Sequence, residues 1–292
     1  MLKLNKGRPI AKIVGGYYHN QIIGLDTEPE KMKIEPCCKK CSEKCAKRPC
    51  CGGCEMCYAG GSDEDSDEFI SDEEDEQIDA GFFDPECKLI PILNTDERDI
   101  AYVAGPSGSG KSTYAGNLIR GYHNLFPNKK IYVFSRSDAA NDPAIRNLGS
   151  QIIIDESLIE NPIDISKELT GGSIILFDDC NTIVNDKLKK AVDKLMADIM
   201  EIGRKLDITT VITNHLVIPN ERKVSRTIMN ELKCMTVFPK SGSVAQIKTA
   251  LKTYFGLNNQ QIDQIVSLPS RWVTIHKTYP MMVVHEHGAY VL

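Results

Sequence analysis

Residues Ile100–Ala104 form an unbroken apolar run, and the chain then turns sharply through Gly105-Pro-Ser-Gly-Ser-Gly-Lys-Ser-Thr113. A buried strand stopped by a glycine-rich turn reads this way. The pattern G-x-x-x-x-G-K-S is complete, closing at Gly110, Lys111 and Ser112. The next dozen residues can form a helix with Ala115, Leu118, Ile119 and Tyr122 on one face. Strand, glycine loop and helix is the setting in which such a loop cradles phosphate. Gly105, Gly108 and Gly110 let the backbone bend until its N–H groups converge on phosphate oxygens, with Pro106, Ser107 and Ser109 completing the loop. Lys111 is expected to reach the β- and γ-phosphates, Ser112 to ligate Mg²⁺, and Thr113 to lie in the opening of the helix. A nucleoside triphosphate, ATP with Mg²⁺, is the expected ligand.

A second feature completes such a site. Residues 173–179 read Ser-Ile-Ile-Leu-Phe-Asp-Asp, an apolar run ending in two carboxylates. Asp178 is expected to hold the metal, and Asp179 to orient or deprotonate the attacking water. A further apolar stretch, 208–213, leads into Asn214 and His215. Asn214 either contacts the γ-phosphate as a sensor or caps the loop that follows. Just before that stretch, Gly203 and Arg204 close a helical pattern over Asp186–Ile202 whose apolar stripe runs Leu188, Val192, Leu195, Ile199 and Ile202.

Strand-like stretches at 89–93, 100–104, 130–135, 151–154, 173–178, 208–213 and 234–238 alternate with helical patterns. Such alternation predicts an α/β fold with a mainly parallel sheet covered on both faces. Two helices, Val244–Phe255 and 258–267, and a hairpin of 272–277 with 281–285 follow. The expected organisation is an N-terminal β-hairpin over 1–25, a Cys-rich segment and acidic linker over 26–80, a core over 81–243, and C-terminal helices with a β-hairpin over 244–292.

Charge and cysteine usage set residues 26–80 apart. Of the 11 cysteines, eight fall between Cys37 and Cys57. Two C-x-x-C pairs can surround one tetrahedral zinc, with Cys38, Cys41, Cys51 and Cys54 as the candidate ligands. A two-metal cluster, a redox-sensitive tether or acylated cysteines suit eight thiols as well. Residues 62–79 are mostly acidic and nearly free of apolar side chains, the composition of a disordered tether. Apolar runs such as 173–177 are far shorter than a membrane span, and the N-terminus lacks the apolar core of a signal peptide. An intracellular, soluble chain with no membrane span is expected.

The phosphate loop of 105–113, Ile174-Ile-Leu-Phe-Asp-Asp179, and Gly203-Arg204 running into 208–214 together resemble the FtsK–HerA class of DNA-pumping ATPases. Within that class the motifs look most like the poxvirus-type genome-packaging ATPase of large DNA viruses. The resemblance covers about residues 88–240. It implies a RecA-like P-loop fold and an ATPase that moves double-stranded DNA into capsids as a homo-oligomeric ring. It also implies Arg204 acting across a subunit interface, contacts with capsid proteins, and a place in the host cytoplasm, viral factory or virion. Asn214 stands where many relatives carry Gln, and Asp179 where many carry Glu. Two other readings compete: a P-loop kinase of a nucleoside or small metabolite, whose lid could only come from 136–146, and a nucleotide-switched interaction protein.

Overall fold

A computed structural model describes residues 1–26, 77–78, 81–93, 97–136, 142–218 and 223–292. Met1–Asp26 and Glu76–Leu292 build one compact unit. The cysteine cluster with its candidate zinc ligands Cys38, Cys41, Cys51 and Cys54, and nearly all of the acidic stretch, lie outside the described residues. Among the described residues no group of three or more His, Cys, Asp or Glu is placed to hold a metal ion.

The chain begins with β1 (Leu2–Leu4), β2 (Arg8–Val14), β3 (Ile22–Leu25), β4 (Gln77–Ile78), β5 (Gly81–Phe83) and β6 (Lys88–Pro91). Five of these make a small sheet in the order β4-β1-β3-β2-β6, antiparallel at every pairing. The hairpin expected over 1–25 is therefore the centre of a wider sheet, which supplies the packing a lone hairpin lacks.

The alternating region follows: β7 (Ile100–Ala104), α1 (Lys111–Leu125), β8 (Ile131–Ser135), β9 (Ser150–Ile153), the one-turn helices α2 (Ser157–Glu160) and α3 (Ile165–Glu168), β10 (Ile174–Asp178), α4 (Asp186–Ile202), β11 (Thr209–Asn214), α5 (Lys223–Glu231) and β12 (Cys234–Val237). The C-terminal part adds α6 (Val244–Phe255), α7 (Asn259–Ser267), β13 (Val273–His276), β14 (Met282–His285) and β15 (Gly288–Val291). The main sheet runs β5-β15-β14-β13-β12-β7-β11-β10-β8-β9. Its six strands from β12 to β9 are parallel, and β13, β14, β15 and β5 extend it antiparallel. This is the RecA-like α/β class expected from the motifs, with β11 inserted between the phosphate-loop strand and the carboxylate strand.

The parallel strands read as continuous apolar runs because each of their faces is covered. Ile100, Tyr102 and Ala104 of β7 point into one cluster, and Ala101 and Val103 into the other. The first cluster holds Leu188, Val192, Leu195 and Ile199 of α4 against Ile175 and Phe177, whereas Ile202, read into the same stripe, is exposed at the end of the helix. Phe134 and Phe177 stack there at 4.9 Å, an arrangement worth about 1 kcal/mol beyond burial. The second cluster holds Leu118, Ile119 and Tyr122 of α1 against Val133, Leu176 and Val211. Asn185 starts α4 by accepting from the backbone N–H groups of Lys187 and Leu188.

The C-terminal helices and strands share this core: Ile247 and Leu251 of α6 and Ile275 of β13 belong to the first cluster. The second hairpin read from sequence is a three-stranded meander that continues the main sheet. Its Met282, Val284 and Ala289 pack with Leu2, Ile10 and Ile13 of the small sheet, joining the two ends of the chain.

Candidate active site

The site lies along the edge where β7, β11 and β10 end. Gly105 leaves β7 with its backbone N–H donating to the Asn214 carbonyl at 3.0 Å. A Cβ at Gly105 would lie 2.6 Å from Ser109 Oγ and 2.7 Å from the Phe238 ring, so only glycine closes the loop this tightly. Gly110 caps α1 in the left-handed region at φ 98°. No side chain caps that helix, and its first turn carries no acid. Its leading N–H groups and the positive pole of its dipole thus face the loop, as phosphate binding requires.

Lys111 is 6% exposed, and its Nζ lies 3.0 Å from Asp179 Oδ2. The same carboxylate oxygen is 3.2 Å from His215 Nε2. Thr213, fully buried at the end of β11, links the two carboxylates. Its Oγ1 accepts from the Asp179 backbone N–H at 2.9 Å and donates to Asp178 Oδ1 at 2.7 Å. Register explains this bridge: Phe177 pairs with Ile212, so Asp178 falls beside Thr213. Asp179 itself sits at φ +48°, where the strand breaks into a short turn. Burial raises the Asp178 carboxyl above its ordinary range and the Asp179 charge adds to this, against the Thr213 hydrogen bond and the Lys111 charge.

Asn214 is buried, and its Oδ1 accepts from the Leu216 backbone N–H at 2.9 Å. The amide therefore fastens the loop after β11, while His215 is the side chain of that loop that meets Asp179. Tyr102 Oη donates to the Leu216 carbonyl at 2.7 Å and clamps the same residue from β7. Ser107, Gly108 and Thr113 are exposed along the loop and first turn; Pro106 and Ser112 are half-buried.

Arg204 lies elsewhere. It occupies the exposed turn between α4 and β11. Its charge is felt by Arg98, which donates to the Met200 carbonyl at the end of α4. Thr210 of β11 pairs with Ile100 at the start of β7, so Arg204 stands at the strand-start edge. The length of β7, roughly 17 Å, separates that edge from the phosphate loop.

Three contributors to the site went unread in the sequence. Thr213 and Tyr102 look like ordinary strand residues, and only the register of β11 between β7 and β10 reveals their contacts. Arg271 arrives from between α7 and β13, and its Nε donates to the Ser109 carbonyl at 3.1 Å. No local pattern marks it.

Strand order, uncapped helix N-terminus, buried lysine and paired carboxylates define a RecA-like P-loop NTPase. No family model matches the chain. Over 235 residues it is 39% identical to uncharacterized protein V3 of Sputnik virophage, a match covering 80% of this chain and 93% of that protein. The chain belongs to the family of that virophage protein. Among solved structures it resembles the genome packaging NTPase B204 of Sulfolobus turreted icosahedral virus 2 in complex with ATP-gammaS (TM-score 0.42, 12% identity, 67% of this chain and 98% of that one). It also resembles the pCW3 conjugation coupling protein TcpA (TM-score 0.41, 13% identity, 67% and 60%). A third is the cytoplasmic domain of the type VII secretion ATPase EccC of Thermomonospora curvata (TM-score 0.45, 14% identity, 71% and 28%).

Proposed function

We propose that this chain is an ATP-driven translocase of the FtsK–HerA type that moves double-stranded DNA, the genome of a virus, into a capsid. The observation that carries the reading is the meeting of Lys111 with Asp179, and of Thr213 with Asp178, beside an uncapped helix N-terminus. That geometry suits hydrolysis as well as binding. Lys111 binds the β- and γ-phosphates. Asp179 positions the attacking water and takes its proton, while His215, at the same carboxylate oxygen as Lys111, helps orient it.

The oxygen donors fit a magnesium ion. The Ser112 hydroxyl and the Asp178 carboxylate are hard ligands, and a carboxylate raised by burial is one that gains from a cation. Ser112 and Asp178 would hold Mg²⁺, which when bound offsets the charge on the phosphate oxygens. Thr213 keeps Asp178 turned toward the site.

Arg204 stands on the edge opposite its own phosphate loop, so it reaches a phosphate only if another subunit presents one. A homo-oligomeric ring does this, and a guanidinium offers a planar, always charged fork for the γ-phosphate. Among the described residues no helix is long and apolar enough to cross a membrane.

The test is ATP turnover by the full chain with and without linear double-stranded DNA. Turnover is expected to rise with DNA; no response would remove the translocase reading while leaving the hydrolase. The Arg204→Ala chain should hydrolyse ATP on the order of a thousandfold more slowly in the assembly. Mixing it with the Lys111→Ala chain should restore part of the activity. Absence of recovery in mixtures that exchange subunits would make Arg204 a surface charge.

A further inference from the structure

The phosphate loop is touched by a cation that its own motif does not supply. Arg271 sits in a segment fixed at both sides. Ser270 Oγ donates to the Trp272 carbonyl at 2.6 Å and accepts from the Glu286 N–H at 3.0 Å. The Trp272 ring lies 5.0 Å from that of Tyr114 on α1. Between these anchors the Arg271 side chain crosses to the loop, where its Nε donates to the Ser109 carbonyl at 3.1 Å. The guanidinium covers Gly110: a Cβ built there would meet Nη2 at 3.0 Å and Cζ at 3.3 Å.

This placement is electrostatically unfavourable by itself. A positive charge at a helix N-terminus opposes the dipole. Here it joins Lys111, in a first turn that has no acid. Lys111 has Asp179 as its counter-ion. The Arg271 Nη groups hydrogen-bond no protein acceptor among the described residues, since only Nε is engaged at the loop. A strut would need nothing more than that one bond. A fork of two Nη groups held over Gly110, with four N–H donors between them, fits an anion with several oxygens, which is what the loop is built to receive.

We propose that Arg271 is a phosphate ligand supplied by the same chain that carries Lys111, so that the C-terminal β-meander closes on its own nucleotide. The inference rests on the reading that the loop binds a nucleoside triphosphate. It gives each site two arginines of different origin: Arg271 from within the subunit for binding, and Arg204 from the neighbour for turnover.

Equilibrium binding of ATP and of ADP, with Mg²⁺, to the full chain tests this by calorimetry on the parent, Arg271→Ala, Arg271→Gln and Lys111→Ala. Arg271→Gln keeps a donor for the Ser109 carbonyl and removes the charge, so it separates ligand from strut. Both Arg271 variants are expected to bind ATP about tenfold or more weakly, the loss of one charge-assisted contact. Their melting temperatures without nucleotide should stay near the parent's, while the rise produced by ATP shrinks. Parental affinity in Arg271→Gln, with Lys111→Ala defective, would leave nucleotide binding intact and reduce Arg271 to a fastening of the loop. A parent that binds neither nucleotide would remove the underlying reading, and Arg271's role with it.

Discussion

Lys111 Nζ and Asp179 Oδ2 lie 3.0 Å apart, so the lysine proposed to bind phosphate is paired with the carboxylate proposed to act on water. Under the proposed function, a γ-phosphate entering the loop would compete with Asp179 for that lysine. Occupancy would then release the carboxylate to meet water beside His215.

Replacing Asp179 by Asn removes the competitor and the base together. The variant should bind ATP at least as tightly as the parent and turn it over about a hundredfold or more slowly. Lys111→Ala should lose both properties. Binding and single-turnover measurements on the two variants check this; parental turnover in Asp179→Asn would end the catalytic assignment.

Asp178 makes a separate prediction about stability. Its folded carboxyl is raised, so the ionised form is disfavoured in the fold relative to the unfolded chain. The resulting cost is present above the folded value and vanishes below the unfolded one, near pH 4. Asp178→Asn keeps an acceptor for Thr213 and should therefore melt higher than the parent at neutral pH without metal. The difference should close as pH falls toward 4, and hydrolysis with Mg²⁺ should be lost. Equal melting temperatures at neutral pH would contradict the account.

Tyr102 acts through the loop that carries His215. Tyr102→Phe strips the hydrogen bond from the partly buried Leu216 carbonyl, at a cost of about 1 kcal/mol. Denaturant unfolding should show that loss. The loop positions His215 and not the phosphates, so kcat should fall while ATP affinity holds. A variant with parental kcat would show that the clamp has no bearing on the chemistry.

His276 sets an acid limit on the fold. Burial, aided by the Arg8 charge, lowers its pKa from 6.5 to about 4. The unfolded chain therefore takes up the proton first, and stability present above about 6.5 is lost as pH falls toward 4. His276→Leu should flatten the fall of unfolding free energy between pH 7 and 4.5. Matching pH slopes in the two proteins would assign the acid sensitivity to other groups.

Much of the site is written locally. A glycine loop with its lysine and serine, an apolar run ending in two carboxylates, and the stripe of α4 are each contained within one turn, one strand or one helix. Strands buried on both faces declare themselves as apolar runs without knowledge of their neighbours. The α4 pattern and the α6 boundaries were readable for the same reason: period and cap lie within a few residues.

The rest depends on which strands lie side by side. The insertion of β11 between β7 and β10 puts Thr213 against Asp178, Tyr102 against the Leu216 carbonyl, and His215 against Asp179. Residues 34 to 114 apart in sequence meet there, and no local pattern encodes that register. The same holds at the termini, where β13–β15 extend the main sheet and carry Arg271 to a loop 162 residues away. The sequence alone determined that the chain can bind phosphate, because backbone bend, helix pole and lysine are consecutive. Tertiary structure alone decided what surrounds that phosphate, because sheet order converts distant residues into neighbours a hydrogen bond apart.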